Sequence, residues 1–189
     1  MAVTTLDPKT ALIVVDLQKG IAAYSTNVAL GEVAERAGVL AKAFRAAGMP
    51  VVLVAATAVA PGRTEQSRPS MGQLPADFAD IMPELDEQPS DHKVVKRTWG
   101  AFSYTDLDAY LKDLAVTQVV VCGVASSAGV ESTARQAHEL GFNVTVAIDA
   151  IADMNPEAHA NSVARIFPRI GETGLAQDII DLLNQSRSA

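Results

Sequence analysis

The stretch Val119–Ala137, VVVCGVASSAGVESTARQA, decides the fold. Its apolar run Val119–Cys122 reads as a strand buried on both faces, as in a parallel sheet under helices. Gly123 breaks the run, and a turn of small residues follows from Val124 to Ala128. Gly129–Leu140 then reads as a helix, with Val130, Ala134, Ala137 and Leu140 along one stripe. A strand that turns sharply into a helix aims unpaired N–H groups at one point above the sheet. In open α/β sheets ligands bind beyond the carboxyl ends of the strands. This turn is therefore expected to form the floor of an active site.

The chain on either side repeats the pattern. Ala11–Val15 is a buried strand ending at Asp16, and Asp16-Leu17-Gln18 leaves it at the carboxyl end. Gly31–Ala47 has helical spacing, with Val33, Ala37, Leu40, Ala41 and Phe44 on one face and Gly48 as the stop. Val51–Ala55 is a second buried strand, so the first crossover is parallel and right-handed. Residues 58–90 carry Pro61, Pro69, Pro75, Pro83 and Pro89, which oppose long regular structure. This segment reads either as a functional lid or as an excursion with a short helix near Ala76–Met82.

Sheet elements resume with Lys93–Val95, then a helix over Thr105–Leu114 with Thr105 as N-cap. After the central unit come a strand over Asn143–Ile148, ending at Asp149, and a helix capped by Asn155 with Pro156 at its first position. A last short strand falls within Pro168–Thr173, and Ala176–Gln185 closes the chain as an amphipathic helix. The whole chain, 1–189, reads as a single three-layer α/β/α Rossmann-like domain with a mostly parallel sheet of about six strands.

Bulk properties narrow the partners. A net charge of −7 argues against nucleic acid and anionic membrane surfaces, both of which need a basic patch. The apolar runs fall short of the roughly 20 residues of a membrane span, and the N-terminus lacks a secretory pattern. A single cysteine forms no internal disulfide, so a reducing cytoplasm is the expected location. There is no GxGxxG or P-loop, so no nucleotide cofactor is expected. His92, His138 and His159 are isolated in sequence, and no metal site is expected.

Three strand ends point at one crevice: Asp16, Lys96 and the Gly123–Gly129 turn. A carboxylate and an ammonium at the mouth of one sheet make an acid–base pair. Each alone has a plain structural reading, Asp16 as a turn residue and Lys96 as a solvated edge charge. Their joint placement favours function. Trp99 is expected to wall the pocket and Phe102 to fill core. No basic cluster stands out nearby; Arg97 and Arg135 are candidates for binding an anionic group, although a flanking arginine is more often a surface charge.

The blocks IVVDLQKG, KVVKRTWGAF and VVVCGVASSAGVESTARQA together resemble the three signature blocks of the isochorismatase-like hydrolases, the cysteine hydrolase superfamily. The resemblance covers nearly the whole chain. It implies a hydrolase acting on a small molecule, commonly as a homo-oligomer, with an Asp, a Lys and a Cys as its catalytic triad. The Asp and Lys match Asp16 and Lys96. The Cys position, six residues after the turn glycine, matches Gly129, while Cys122 lies on the strand before it and reads as a small buried hydrophobe. A thioester route needs a thiolate. The resemblance therefore points to the family's thiol-free branch, in which a carboxylic acid protonates a vinyl ether such as isochorismate. It further implies a cis Val124–Ala125 peptide, with the N–H groups of Ala125 and Gly129 as an oxyanion hole. Gln18 and Trp99 are added to the substrate site. The Asp-x-His metal site of nicotinamidases would fall at Ala55-Ala56-Thr57-Ala58, which offers no ligand. A catalytically silent small-molecule binding or scaffold protein is the alternative.

Overall fold

In the computed structural model, which describes residues 3–24, 30–65 and 74–186, the chain folds around one six-stranded sheet. The strands are β1 (Thr10–Val15), β2 (Val51–Ala56), β3 (His92–Lys96), β4 (Gln118–Val124), β5 (Asn143–Ala152) and β6 (Glu172–Gly174). They pair in parallel in the order β3-β2-β1-β4-β5-β6. This is the α/β fold that the alternating pattern predicts. β1 and β4 sit at the centre and are buried along their whole length. Each aliphatic side chain buried there, such as Leu12, Ile13 or Val121, contributes about 1.5–3 kcal/mol.

The chain order reverses between β1 and β4. From β1 it steps outward through β2 to β3, and from β4 it steps the other way through β5 to β6. Right-handed crossovers in opposite directions place their helices on opposite faces. Thus α2 (Leu30–Ala46) covers one face, and α4 (Glu131–Glu139) the other. The C-terminal helix α7 (Ala176–Ser186) packs on α2, and the short α6 (Phe167–Ile170) packs on α4. The remaining helices are α1 (Lys19–Tyr24), α3 (Leu107–Asp113) and α5 (Pro156–Asn161). The α2 stripe Val33, Ala37, Leu40, Ala41 and Phe44 is buried as its spacing predicts. Among the described residues no helix is long and apolar enough to cross a membrane.

Several local expectations need correction. β5 does not stop before Asp149 but runs on to Ala152, because it bulges against β4. Between the pairs Val121–Val146 and Gly123–Ile151, two steps on β4 face five on β5. Asp149 sits inside this bulge and its Oδ1 accepts from Ala176 N at 2.7 Å, so it serves the start of α7. The stretch Ala76–Met82 is not helical. Ile81 instead bridges antiparallel to Gln18, and Pro83–Leu85 makes a single 3₁₀ turn. Part of the proline-rich segment, 66–73, lies outside the described residues. Thr105 is not the N-cap of α3. Asp106 holds that position, while the Thr105 hydroxyl donates to Ala101 O at 2.6 Å. The expected last short strand falls at the end of its stretch, as β6 (Glu172–Gly174), while Pro168 lies in the first turn of α6, where its missing N–H is harmless. Leu140 terminates α4 and is 40% exposed, so it leaves the buried stripe.

Gly123 is the tightest point of the switch. Its φ is +111°, and a Cβ there would stand 2.0 Å from Val15 O and 2.7 Å from Val15 N. β1 and β4 can approach this closely only because residue 123 has no side chain. Gly123→Ala adds left-handed strain to a backbone clash, so a loss of about 4 kcal/mol is expected. Urea unfolding of the two proteins measures it, and a difference under about 1 kcal/mol contradicts the reading.

Candidate active site

Both elements that bound the switch point deliver site residues. At the end of β1, Asp16 bends the chain with φ +55°, a left-handed conformation that Asp tolerates better than most residues. Its N–H is held by Val54 O at 2.9 Å, which fixes the bend to β2. Lys96 ends β3, the edge strand, and its long stem reaches past β2 to the same place. Its Nζ lies 2.8 Å from Asp16 Oδ2, 2.8 Å from Trp99 O and 3.1 Å from Thr98 O. An ammonium has three protons to give, so these three acceptors exhaust it. Lys96 is 2% exposed and Asp16 8%, so the pair is buried.

Burial pushes the Asp16 carboxyl up to about 6, against the Lys96 charge and hydrogen bond, which pull it down. Its Oδ1 is buried and has no hydrogen-bond partner among the described residues. An unpaired buried oxygen of this kind is costly and calls for an explanation.

The turn after β4 closes the site from the other side. The Val124–Ala125 peptide is cis, as the resemblance implies. Ser126–Val130 forms one π-helical turn, in which Ala128 N and Val130 N donate to Ala125 O at 3.0 and 3.1 Å. Such turns recur at functional sites. A Cβ at Gly129 would lie 3.0 Å from Asp16 Oδ2 and 3.0 Å from Val124 O. The backbone of Gly129 therefore faces the carboxylate directly.

The turn is clamped by the segment after β5. Asp153 Oδ2 accepts from Ser127 N at 2.8 Å and from Ser127 Oγ at 2.7 Å, and its Oδ1 accepts from Asn155 N at 3.0 Å. The buried Ser126 Oγ lies 2.9 Å from His159 Nδ1 on α5. On the opposite side α4 holds the loop that accepts from Lys96. Thr133 Oγ1 accepts from Ala101 N and donates to Gly129 O, and Gln136 Oε1 accepts from Phe102 N. The two carbonyls on Lys96 are thus tied to the same helix that begins at the turn.

A cavity of about 150 Å³ opens over this site, lined by Asp16, Ile21, Leu30, Val124, Ala125, Ala152, Asp153 and Met154. The expected residues fall around it as follows. Asp16 and Ala125 line the cavity, Lys96 stands behind Asp16, and Gly129 abuts the carboxylate. Gln18 is fully buried and committed elsewhere. Its Nε2 donates to Ala56 O and Phe78 O, each at 2.9 Å, and its Oε1 accepts from Ala56 N at 2.6 Å. It ties the 74–82 segment to the end of β2. Trp99 gives Lys96 its carbonyl, while the residue is 57% exposed and outside the cavity lining, so the expected pocket wall is not there. Phe102 is half-buried against Phe142 at 6.0 Å between ring centroids. Arg97 is exposed, and Arg135 pairs with Glu131 on the outer face of α4. Neither lines the cavity. Cys122 is fully buried in β4, and burial pushes its thiol well up. Among the described residues no group of three or more His, Cys, Asp or Glu is disposed to hold a metal ion. Asp153 is a site residue that sequence reasoning missed. The signal was the second apolar triplet Ala150-Ile151-Ala152, which carries the strand past its first acid.

The family model for the isochorismatase domain matches residues 10–178. The chain belongs to the isochorismatase family. It is 39% identical over 183 residues to YecD of Escherichia coli O157:H7, an uncharacterized isochorismatase family protein, covering 92% of this chain and 96% of the relative. It is 32% identical over 187 residues to the ureidoacrylate amidohydrolase RutB of Rhizobium rhizogenes, covering 81% and 74% of the two chains. The structure of an isochorismatase family protein from Burkholderia thailandensis superposes with a TM-score of 0.89 at 36% identity, covering 95% of this chain and 98% of that one. The fold described above is thus an isochorismatase fold, and its named relatives include a hydrolase.

Lys96→Ala isolates the buried pair. Removing one partner leaves a buried charge uncompensated, so a loss of about 3–5 kcal/mol is expected at neutral pH. Without the ammonium, the folded-state pKa of Asp16 rises further above its unfolded value. The folded state then favours the protonated acid, and the deficit relative to wild type grows as pH rises through about 6 and shrinks below it. Urea melts at pH 5 and pH 8 measure this, and a deficit that grows on acidification contradicts the pairing.

Proposed function

We propose that this isochorismatase-family chain is a cofactor-free hydrolase of a small molecule that works by Asp16/Lys96 acid–base chemistry, without a cysteine nucleophile, on a vinyl ether. The observation that carries this reading is the buried Asp16–Lys96 pair, 2.8 Å apart and set against Gly129 rather than against a thiol. In this reading Gly129 occupies the position of the family's nucleophilic Cys, which removes the thioester route. Cys122 does not replace it, because it is buried inside the sheet.

The steps follow from the two carboxylate oxygens. Oδ2 is held by Lys96, so the proton to be transferred sits on Oδ1, which has no other partner. With a pKa of about 6, roughly one Asp16 in ten is protonated at pH 7. That proton goes to the enol-ether carbon, and the double-bond electrons form the new C–H bond. The oxocarbenium ion that results lies beside the carboxylate, which stabilises it. Water adds to the cationic carbon and returns a proton to Asp16. The hemiketal then collapses to a carbonyl compound and an alcohol. Lys96 stabilises the carboxylate form and holds its orientation. The N–H groups of Ala125 and Gly129 serve as donors to the substrate oxygen, with Gln18 and Trp99 supporting the site through their ties to the backbone and to Lys96. A silent binding protein would gain nothing from a buried ion pair, whose desolvation works against stability.

The test is hydrolysis of isochorismate and of uncharged enol ethers such as dihydropyran, with product carbonyl as the readout. Asp16→Asn is expected to lower turnover by roughly 10²–10⁴-fold, the usual contribution of a positioned acid. Lys96→Ala is expected to lower it as well. Equal turnover by wild type and both variants, or none across the panel, overturns the proposal. A second readout is the pH profile of wild-type kcat/KM. A general acid acts when protonated, so the rate is level below about pH 6 and falls about tenfold per unit above it. A rate that rises through pH 6 instead marks Asp16 as a base.

A further inference from the structure

The cavity over Asp16 holds more acid than base. Asp16 and Asp153 both line it, and no Lys, Arg or His is among the described residues that do. Lys96 neutralises Asp16 but offers nothing to a ligand, because Asp16 Oδ2, Thr98 O and Trp99 O take all three of its protons. Among the described residues Asp153 forms no ion pair, and its contacts are to neutral donors. Its oxygens are held by Ser127 N, Ser127 Oγ and Asn155 N, which are neutral donors that fix the carboxylate without cancelling its charge. Among the described residues, the cavity therefore carries one carboxylate outside any ion pair, Asp153, together with the buried Oδ1 of Asp16, which has no hydrogen-bond partner among them. Ile21, Leu30, Val124, Ala152 and Met154 supply the remaining apolar wall.

We propose that this cavity selects small neutral or cationic molecules that carry hydrogen-bond donors and rejects carboxylates, with Asp153 as the specificity-determining residue. A ligand N–H or N⁺–H finds two acceptor-only groups, one of them unpaired, and binding it removes the cost of that orphan oxygen. A ligand carboxylate finds like charge and no free donor cation, and such juxtapositions are strongly unfavourable in a partly dehydrated site. A volume of about 150 Å³ admits a single ring or a short chain, well below the roughly 300–1,000 Å³ of a drug-sized pocket. The substrate class that follows is a small amine, amide or alcohol, including an enol ether without acidic groups. The inference rests on the reading of this cavity as the substrate site, and not on the enol-ether chemistry.

Charge selection is read by direct binding of three probes of matched shape, benzoate, benzamide and benzylamine, by isothermal titration with saturation-transfer NMR. Wild type is expected to bind benzamide and benzylamine and to bind benzoate at least about tenfold more weakly. Asp153→Asn removes the charge at unchanged size, and is expected to cut the advantage of benzylamine over benzamide several-fold. Met154 is 67% exposed on the cavity rim. Met154→Lys therefore tests the same point without disturbing the clamp on Ser127, and is expected to restore benzoate binding. Benzoate binding to wild type as tightly as benzamide overturns the proposal, as does an order of affinities left unchanged by both variants. Because binding is read apart from turnover, the two proposals fail separately. A wrong order of affinities leaves the acid chemistry of Asp16 standing, and turnover unaffected by Asp16→Asn leaves the order of affinities standing.

Discussion

Everything near the switch point depends on one interaction, the hydrogen-bonded ion pair of Asp16 and Lys96. Two charges taken out of water lose several kcal/mol each in hydration, and their mutual attraction recovers this only with good geometry and with their other hydrogen bonds satisfied. Lys96 meets that condition, with three acceptors for three protons. Asp16 does not, since Oδ1 lacks a partner among the described residues. The pair is thus built so that the cation is fully satisfied and the anion is left partly unsatisfied. Burial raises the acid toward neutral pH against the pull of Lys96, whose hydrogen bond keeps it oriented.

The surrounding fold serves this asymmetry. The loop that supplies the Thr98 and Trp99 carbonyls is pinned to α4 through Thr133 and Gln136. The same α4 begins at the π-helical turn that brings Gly129 against Asp16. The turn is gripped in its turn by Asp153 and His159, both beyond β5. Acid, cation and backbone corner are therefore cross-linked through one helix and one strand end, and a shift in any of them moves the others. Preorganisation of this kind is what the proposed proton transfer requires.

Most of the fold was legible from the chain. Long apolar runs such as Ala11–Val15 and Val119–Cys122 give strands buried on both faces, because only a covered parallel sheet hides both sides of a strand. Asp16 and Lys96 stood out because each follows such a run directly, and parallel strands in register bring their carboxyl ends to one edge. What failed failed locally. β5 runs past the sequence's first acid because a bulge adds three residues there; the apolar triplet Ala150-Ile151-Ala152 marks the continuation of the strand but not the bulge itself. The Ala76–Met82 helix was misplaced because its backbone groups found partners on Leu17, Lys19 and Gly20, far away in sequence.

The sequence by itself determined the layers, the strands and the two charged residues at the switch point, because these depend on local hydrophobic period and on which residue ends an apolar run. It also determined that residue 129 brings no side chain to the site. Only the tertiary structure decided how the charges balance. Whether Lys96 can hold a ligand depends on two carbonyls from a loop beyond it, and whether the cavity is acidic depends on a bulge that advances Asp153 to its rim. Hydrogen-bond capacity is filled by neighbours in space, and electrostatic sign is summed over them, so neither can be read along the chain.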